Sequence, residues 1–407
     1  MIRFGAFLLV LNLAFVCSAL GQVPREVRDI VGVTHVAGLY HLTDKDFLNE
    51  GADQILALGS RVIKVWFYAG QSEGVAKSYP YNSQWPKVDS LVAGAETPYF
   101  KTLFNKPFTT YILKVTALGR DEGYWRKGIT EEQKKDEQRQ FYELAKYLLT
   151  QYKGTGKTFV LQHWEGDWMV RGNYKGDVEP APAALANMVE WLNARQAGVD
   201  QARQEVGQSS VSRASSPRED AAKMAATRQQ GVHVYHATEV NRVVQSMRTG
   251  FPNLVNKVLP HTHVDLVSYS AWDSATEHYT DAKVLRDALD FIAANMPDSA
   301  DFGNHNVYLG EFGMPENVYS LDKVQTAIPN AVRTALDWGC PYIVYWQLYC
   351  NELKDPKAQG PQTQKDRVWE PVPPVKSNDA VRGFWLIRPD GTKAWTWDYF
   401  HDLLATP

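Results

Sequence analysis

Two carboxylates in this chain stand where chemistry can be done. The first ends the stretch Val307-Tyr308-Leu309-Gly310-Glu311-Phe312-Gly313, a mostly apolar run that closes on one acid flanked by glycines. Such a run reads as a strand buried on both faces. Glycine beside the acid lets the backbone turn and a ligand come close. The second, Glu165, follows Thr158-Phe159-Val160-Leu161-Gln162-His163-Trp164 and is itself followed by Gly166. Cleavage of a glycosidic bond needs one group that protonates the leaving oxygen and another that attacks or activates water. Glu311 is the candidate nucleophile and Glu165 the candidate general acid/base. In retaining enzymes such a pair lies about 5–5.5 Å apart, and the charge of one raises the pKa of the other, keeping it protonated.

The two acids meet only if the intervening chain brings their strands together. Apolar, β-branched runs occur at Ile30–Val36, Val62–Tyr68, Thr109–Val115, Thr158–His163, Val232–His236, Val264–Tyr269, Asn306–Leu309 and Tyr342–Trp346. Between them lie stretches of helical spacing: Asp44–Leu58, Thr130–Leu149, Pro182–Val206, Glu239–Met247, Asp281–Ala294 and Leu321–Trp338. Thr130 with Gln133 matches a capping box, and Pro182 stands just inside a helix start. Alternation of short apolar strands with helices argues a parallel sheet. Eight repeats in about 380 residues argue that it closes into a single-domain (β/α)8 barrel of the α/β class, residues 22–407. An open doubly wound sheet would want a Gly-x-Gly-x-x-Gly loop after the first strand, and none is present. On a barrel, acids ending strands four and seven face each other across the C-terminal mouth.

Three stretches depart from the repeat. Residues 69–106, rich in Tyr, Pro, Ser and Trp, read as a long loop after strand two and a wall for substrate. Residues 207–221, with Ser-Ser-Val-Ser-Arg-Ala-Ser-Ser-Pro, read as a mobile connection between helices. Lys354–Asp379 reads as a polar, proline-rich loop. After it, Gly383–Ile387 reads as extended, and Trp395–Phe400 as a final helix or turn.

Composition narrows the partners. A net charge of -3 gives no electrostatic reason to expect nucleic acid. Thirteen Trp and 20 Tyr suit an aromatic core or flat platforms for sugar rings. Residues 1–21 carry Arg3, an apolar core from Phe7 to Val16 and a small-x-small end at Ala19-Leu20-Gly21, the pattern of a secretory signal peptide. Lipidation at Cys17 is the alternative, in the poor context of Phe15-Val16. No other apolar run is long enough to cross a bilayer, so a secreted or periplasmic monomer free of the membrane is expected. Cys340 and Cys350 sit at opposite ends of one predicted strand and are expected to be unpaired.

The whole mature chain resembles the clan A superfamily of retaining glycoside hydrolases, with glycoside hydrolase family 5 a useful comparison. The resemblance rests on the acids ending strands four and seven, Gly310-Glu311-Phe312-Gly313, Trp346 ending strand eight, and the closing segment from Gly383 through Arg388-Pro389-Asp390-Gly391-Thr392-Lys393-Ala394-Trp395. It implies double displacement through a covalent glycosyl-enzyme on Glu311, no metal or other cofactor, and Trp346 as the floor of the sugar site. The chain departs from the family pattern at three places, as a divergent relative would. Trp164 stands where the family carries an Asn that binds the sugar 2-hydroxyl, leaving His163 or Asn241 as replacements. Lys64 stands where family 5 carries Arg. Tyr269-Ser270-Ala271-Trp272-Asp273 replaces a His-x-Tyr pattern, with Tyr269 left to bond the nucleophile and Trp272 to line the pocket.

Other constellations compete. Glu239 also ends a strand and reads as a substrate-binding residue or a helix N-terminal charge. Asn351-Glu352 reads as a polar pair in a loop. His261-Thr262-His263 resembles a metal pair, but it precedes strand six and belongs to the face opposite the mouth, so no metal is expected. His35 and His41 are rim or core histidines, with a sugar contact plausible for either. Trp66, Trp85, Trp164, Trp168, Trp272 and Trp346 are candidate platforms. Two functions follow: a hydrolase of β-glycosidic bonds in an oligo- or polysaccharide, or a carbohydrate-binding barrel whose acids only hydrogen-bond hydroxyls.

Overall fold

The computed structural model describes residues 25–68, 74–211, 231–355, 357 and 373–405. The expected signal peptide, residues 212–221 of the expected mobile connection and much of the 354–379 loop lie outside them. Eight parallel strands close into a barrel in chain order. They are β1 (Val31–His35), β2 (Val62–Tyr68), β3 (Thr110–Val115), β4 (Thr158–Gln162), β5 (His233–Val240), β6 (Leu266–Ser270), β7 (Val307–Phe312) and β8 (Ile343–Tyr345). Closure is made by β1 against β8, with Val31 opposite Ile343 and Gly32 opposite Val344.

The helices begin and end where local chemistry allows. The Asp46 carboxylate accepts the Asn49 N–H (3.0 Å) to start α1 (Phe47–Leu58), and Gly59 ends it in the left-handed region at φ 101°. Thr130 and Gln133 form the reciprocal cap of α2 (Glu131–Gln151). A short α3 (Gly166–Arg171) follows β4, and α4 runs from Pro182 to Val211. Next come α5 (Val243–Thr249), α6 (Ala282–Asn295), α7 (Leu321–Trp338) and the closing α8 (Trp395–Ala405). Among the described residues no helix is long and apolar enough to cross a membrane. Cys340 and Cys350 are buried and unbonded.

Three expectations need correcting. The segment expected as a loop over 69–106 carries short helices at Gly74–Ser78, Leu91–Glu96 and Pro98–Phe104, packed through Trp85, Tyr99 and Phe100. Residues 207–211 continue α4. The helix expected from Glu239 starts at Val243 instead, because β5 runs on to Val240 and points Glu239 into the barrel.

Inward and outward residues alternate along the strands except where a bulge intervenes. The interior's lower layer is apolar and aromatic: Val62, Ile112, Val160, Tyr235, Leu266, Tyr308, Tyr342 and Val344. The layer above it, toward the C-terminal mouth, is polar and includes Lys64, Lys114, Gln162, Glu239 and Ser268, all buried.

Helices α2 and α4 form the tightest outer pair. Arg195 of α4 bonds Glu137 of α2 (2.8 Å), and its guanidinium lies 3.7 Å over the Trp191 ring. Gly198 sets their spacing, since a Cβ there would lie 2.3 Å from the Gln138 carbonyl oxygen. Gly198→Ala is therefore expected to force the helices apart and cost about 1–3 kcal/mol. Urea unfolding checks this: the midpoint falls while the slope is unchanged.

Candidate active site

The site grows from the polar layer upward. On β2, alternation turns Val62 and Lys64 inward. The Lys64 ammonium lies 2.8 Å from Glu311 Oε1 and 2.9 Å from Glu239 Oε2, and it also donates to the Gly310 carbonyl (3.2 Å). Glu311 would face the helices if β7 alternated regularly after Tyr308 and Leu309. A bulge prevents that: Tyr269 pairs with Leu309 but Ser270 pairs with Glu311, so Gly310 is the extra residue. The glycine is needed because a Cβ at 310 would lie 1.8 Å from Ser268 Oγ. A neighbouring strand, not a ligand, makes the close approach.

Glu165 begins α3, three residues beyond β4. Its backbone N–H donates to Glu239 Oε1 (2.9 Å), while Gln162 and Ser268 donate to Glu239 Oε2 (2.8 and 2.7 Å). Tyr308 in turn donates to the side-chain oxygen Oε1 of Gln162. Glu239 is thus fully engaged as an acceptor and ties the acid's backbone to the barrel. Ser270 connects the other two carboxylates: its hydroxyl oxygen is 2.8 Å from Glu165 Oε1 and 3.1 Å from Glu311 Oε2. One hydroxyl carries one hydrogen, so it serves two acids only if one of them is protonated and donates to it.

The electrostatics name which one. Burial, then the charges of Glu311 and Glu239, push Glu165 well above the usual carboxylate range. Burial raises Glu311 to about 7, with Lys64 holding it back. Burial also opposes charge on Glu239, yet Lys64 and the Ser268 hydroxyl outweigh it and bring its pKa down. These shifts favour the proton on Glu165 and make Glu239 the most readily ionised of the three.

Four of the sequence-derived candidates, Glu165, Glu311, Lys64 and Glu239, converge in this cluster. Trp164, Trp272 and Trp346 stand above it at the ends of β4, β6 and β8; Trp346 is 7% exposed and the other two are half-buried. Other candidates turn elsewhere. Tyr269, one residue out of phase with Ser270, faces the helices and bonds Asp273 (2.6 Å) rather than Glu311. His163 is buried between β4 and β5; its Nε2 accepts the Glu239 N–H (3.3 Å), and burial lowers its pKa to about 4. Asn241 Oδ1 accepts the Asp167 N–H (3.1 Å), anchoring α3. Trp85 is packed in the helical segment after β2, with its N–H on the Tyr79 carbonyl. His35 is buried against the Phe47 carbonyl, and Glu352 pairs with Arg382.

Ser270 is the residue missed, although Leu266, Ser268 and Ser270 repeat at the two-residue spacing that marks one face of a strand. Tyr174 was also missed. It is 73% exposed, close enough to Glu165 to feel its charge, and lies edge-on to Trp164 at 6.3 Å.

No family model and no curated protein sequence matches the chain. Solved structures do. An alanine variant of a GH5_18 protein from Streptomyces cattleya, in complex with Manβ1-4GlcNAc, is 11% identical over 93% of this chain and 82% of its own, with a TM-score of 0.50. A GH5_18 protein from Bifidobacterium longum subsp. infantis is 13% identical over 92% and 78%, TM-score 0.50. An exo-β-1,4-mannosidase from Opitutaceae bacterium strain TAV5 is 12% identical over 92% of this chain and 59% of its own, TM-score 0.50. The likeness is one of fold, the (β/α)8 barrel.

The buried lysine makes stability depend on pH. Lys64→Met leaves Glu239 and Glu311 without their cation, at an expected cost of about 3–5 kcal/mol near pH 8. Both acids then have folded pKa values above their unfolded ones, so the deficit grows as pH rises past the unfolded carboxylate pKa and shrinks toward pH 5. Urea unfolding of both proteins at pH 5 and pH 8 checks the sign.

Proposed function

We propose that this chain is an exported retaining glycoside hydrolase that cleaves β-glycosidic bonds in an oligo- or polysaccharide by double displacement. The observation that carries the reading is the Ser270 hydroxyl held between Glu165 and Glu311. Two oxygens within 2.8 and 3.1 Å of one atom are at most about 6 Å apart, less than the ~6.5–9.5 Å that leaves room for water in inverting enzymes. The fold likeness to a barrel named as an exo-β-1,4-mannosidase, and to a GH5_18 barrel in complex with Manβ1-4GlcNAc, supports it.

In this mechanism Glu165 gives its proton to the glycosidic oxygen as Glu311 attacks the anomeric carbon. The aglycone leaves and a glycosyl ester forms on Glu311. Glu165, now ionised, takes a proton from water, which attacks the same carbon and frees Glu311. Lys64 steadies the carboxylate of Glu311 between turnovers, and Glu239 holds the backbone of the acid in place. Trp346 is the floor against which the sugar lies, with Trp164 and Trp272 as walls.

Assay of aryl β-glycosides and β-linked polysaccharides on the wild type, Glu165→Ala and Glu311→Ala tests the reading. Glu165→Ala is expected to lose roughly 10²–10⁴-fold in turnover. Glu311→Ala is expected to be inactive until azide is added, when the product forms with inverted configuration. Binding without turnover in all three proteins would replace the hydrolase with a carbohydrate-binding barrel. In wild type, activity should rise as pH passes about 7 and Glu311 ionises. It should fall at higher pH as Glu165 loses its proton. A pH profile of kcat/KM peaking below pH 6 contradicts the assignment.

A further inference from the structure

Beside the acid lies a surface that the cleavage chemistry does not use. Trp168, on the first turn of α3, bonds its backbone N–H to the Glu165 carbonyl (3.1 Å). Its ring is approached by Tyr174 (5.9 Å between centroids) and by the guanidinium carbons of Arg171 (5.6 Å) and Arg242 (5.5 Å).

The two arginines differ. Arg171 is spent: its nitrogens donate to the carbonyls of Val178 (3.0 Å) and Asp167 (2.7 Å) and to the Asn253 side chain. Arg242 has its backbone N–H on Asp167 (3.1 Å), but its guanidinium makes no hydrogen bond and no ion pair among the described residues, and its Nε is buried without an acceptor. A half-buried guanidinium, held 5.5 Å from an indole centroid and lacking an acceptor among the described residues, presents a donor fork of the shape that oxyanions fill. Tyr174, 73% exposed, extends the aromatic surface from Trp168 to Trp164 and the acid.

We infer that Arg242, Trp168 and Tyr174 form a subsite for an anionic sugar, carrying a carboxylate or a sulfate ester, on the leaving-group side of Glu165. The inference rests on the hydrolase reading for the meaning of that side. The ring of the sugar lies against Tyr174 and Trp168, and its anionic group takes the fork of Arg242. The subsite makes an acidic glycan the favoured substrate class.

Three probes separate the possibilities: a β-linked oligosaccharide with one hexuronic acid, the same molecule after carboxyl reduction, and the reduced molecule bearing a sulfate ester. Calorimetric binding is measured on the full chain carrying Glu311→Gln, so that turnover does not intervene. The uronate or the sulfate form is expected to bind roughly ten-fold or more tightly than the neutral one. Whichever of the two is preferred identifies the anion. Adding Arg242→Gln is expected to close that gap, and Tyr174→Ala, at an exposed position, to weaken all three probes. Equal affinity for the three, or a preference that survives Arg242→Gln, overturns the subsite. Turnover by the wild-type chain judges the hydrolase reading separately. A chain that binds the acidic probe preferentially but cleaves none of them loses the hydrolase and keeps the anion site. A chain that cleaves acidic and neutral probes alike, with Arg242→Gln without effect, loses the anion site alone.

Discussion

One ammonium group in the barrel interior makes the rest of the site tenable. Three carboxylates crowd the upper layer, and in a medium that screens poorly they repel one another strongly. Lys64, itself 1% exposed at the side chain, lies between two of them at 2.8 and 2.9 Å. One cation cannot neutralise three acids. The remaining imbalance, with burial, raises the pKa of Glu165 and favours its protonated form, the one the proposed general acid needs. The different pKa shifts of these chemically identical side chains thus follow in part from where Lys64 sits.

The barrel was legible in the sequence because its strands are short apolar runs separated by capped helices, and both signals are local. Thr130 with Gln133 is resolved within a few residues, without help from the tertiary fold, whereas the helix start expected at Asp44 falls at Asp46, which caps Asn49. The two acids were legible for the same reason: each breaks an apolar run next to a glycine. Lys64 and Glu239 were recognised as candidates, but not their partnership, since 175 positions separate them and only closure of the barrel brings them together.

Phase was harder to read than position. Ser270 and Tyr269 are adjacent, and the larger, more polarisable side chain drew the functional reading. The pleat sends Tyr269 outward to Asp273 and the small hydroxyl inward. On β7 the difficulty is reversed, because the bulge at Gly310 rotates Glu311 onto the face that strict alternation denies it. A charged residue inside a strand, as in Val62-Ile63-Lys64-Val65 or Thr238-Glu239-Val240, argues against strand by propensity alone. In this chain those residues mark the interior.

The aromatic floor beneath the cluster has a consequence for transport. Tyr235, Tyr308 and Tyr342, with the aliphatic residues around them, seal the opposite end of the barrel. Among the described residues the polar cluster is therefore approached from the C-terminal mouth, where Trp164, Trp272 and Trp346 stand. On the proposed hydrolase reading, glycan and product pass the same mouth. Widening or narrowing it changes arrival and departure together.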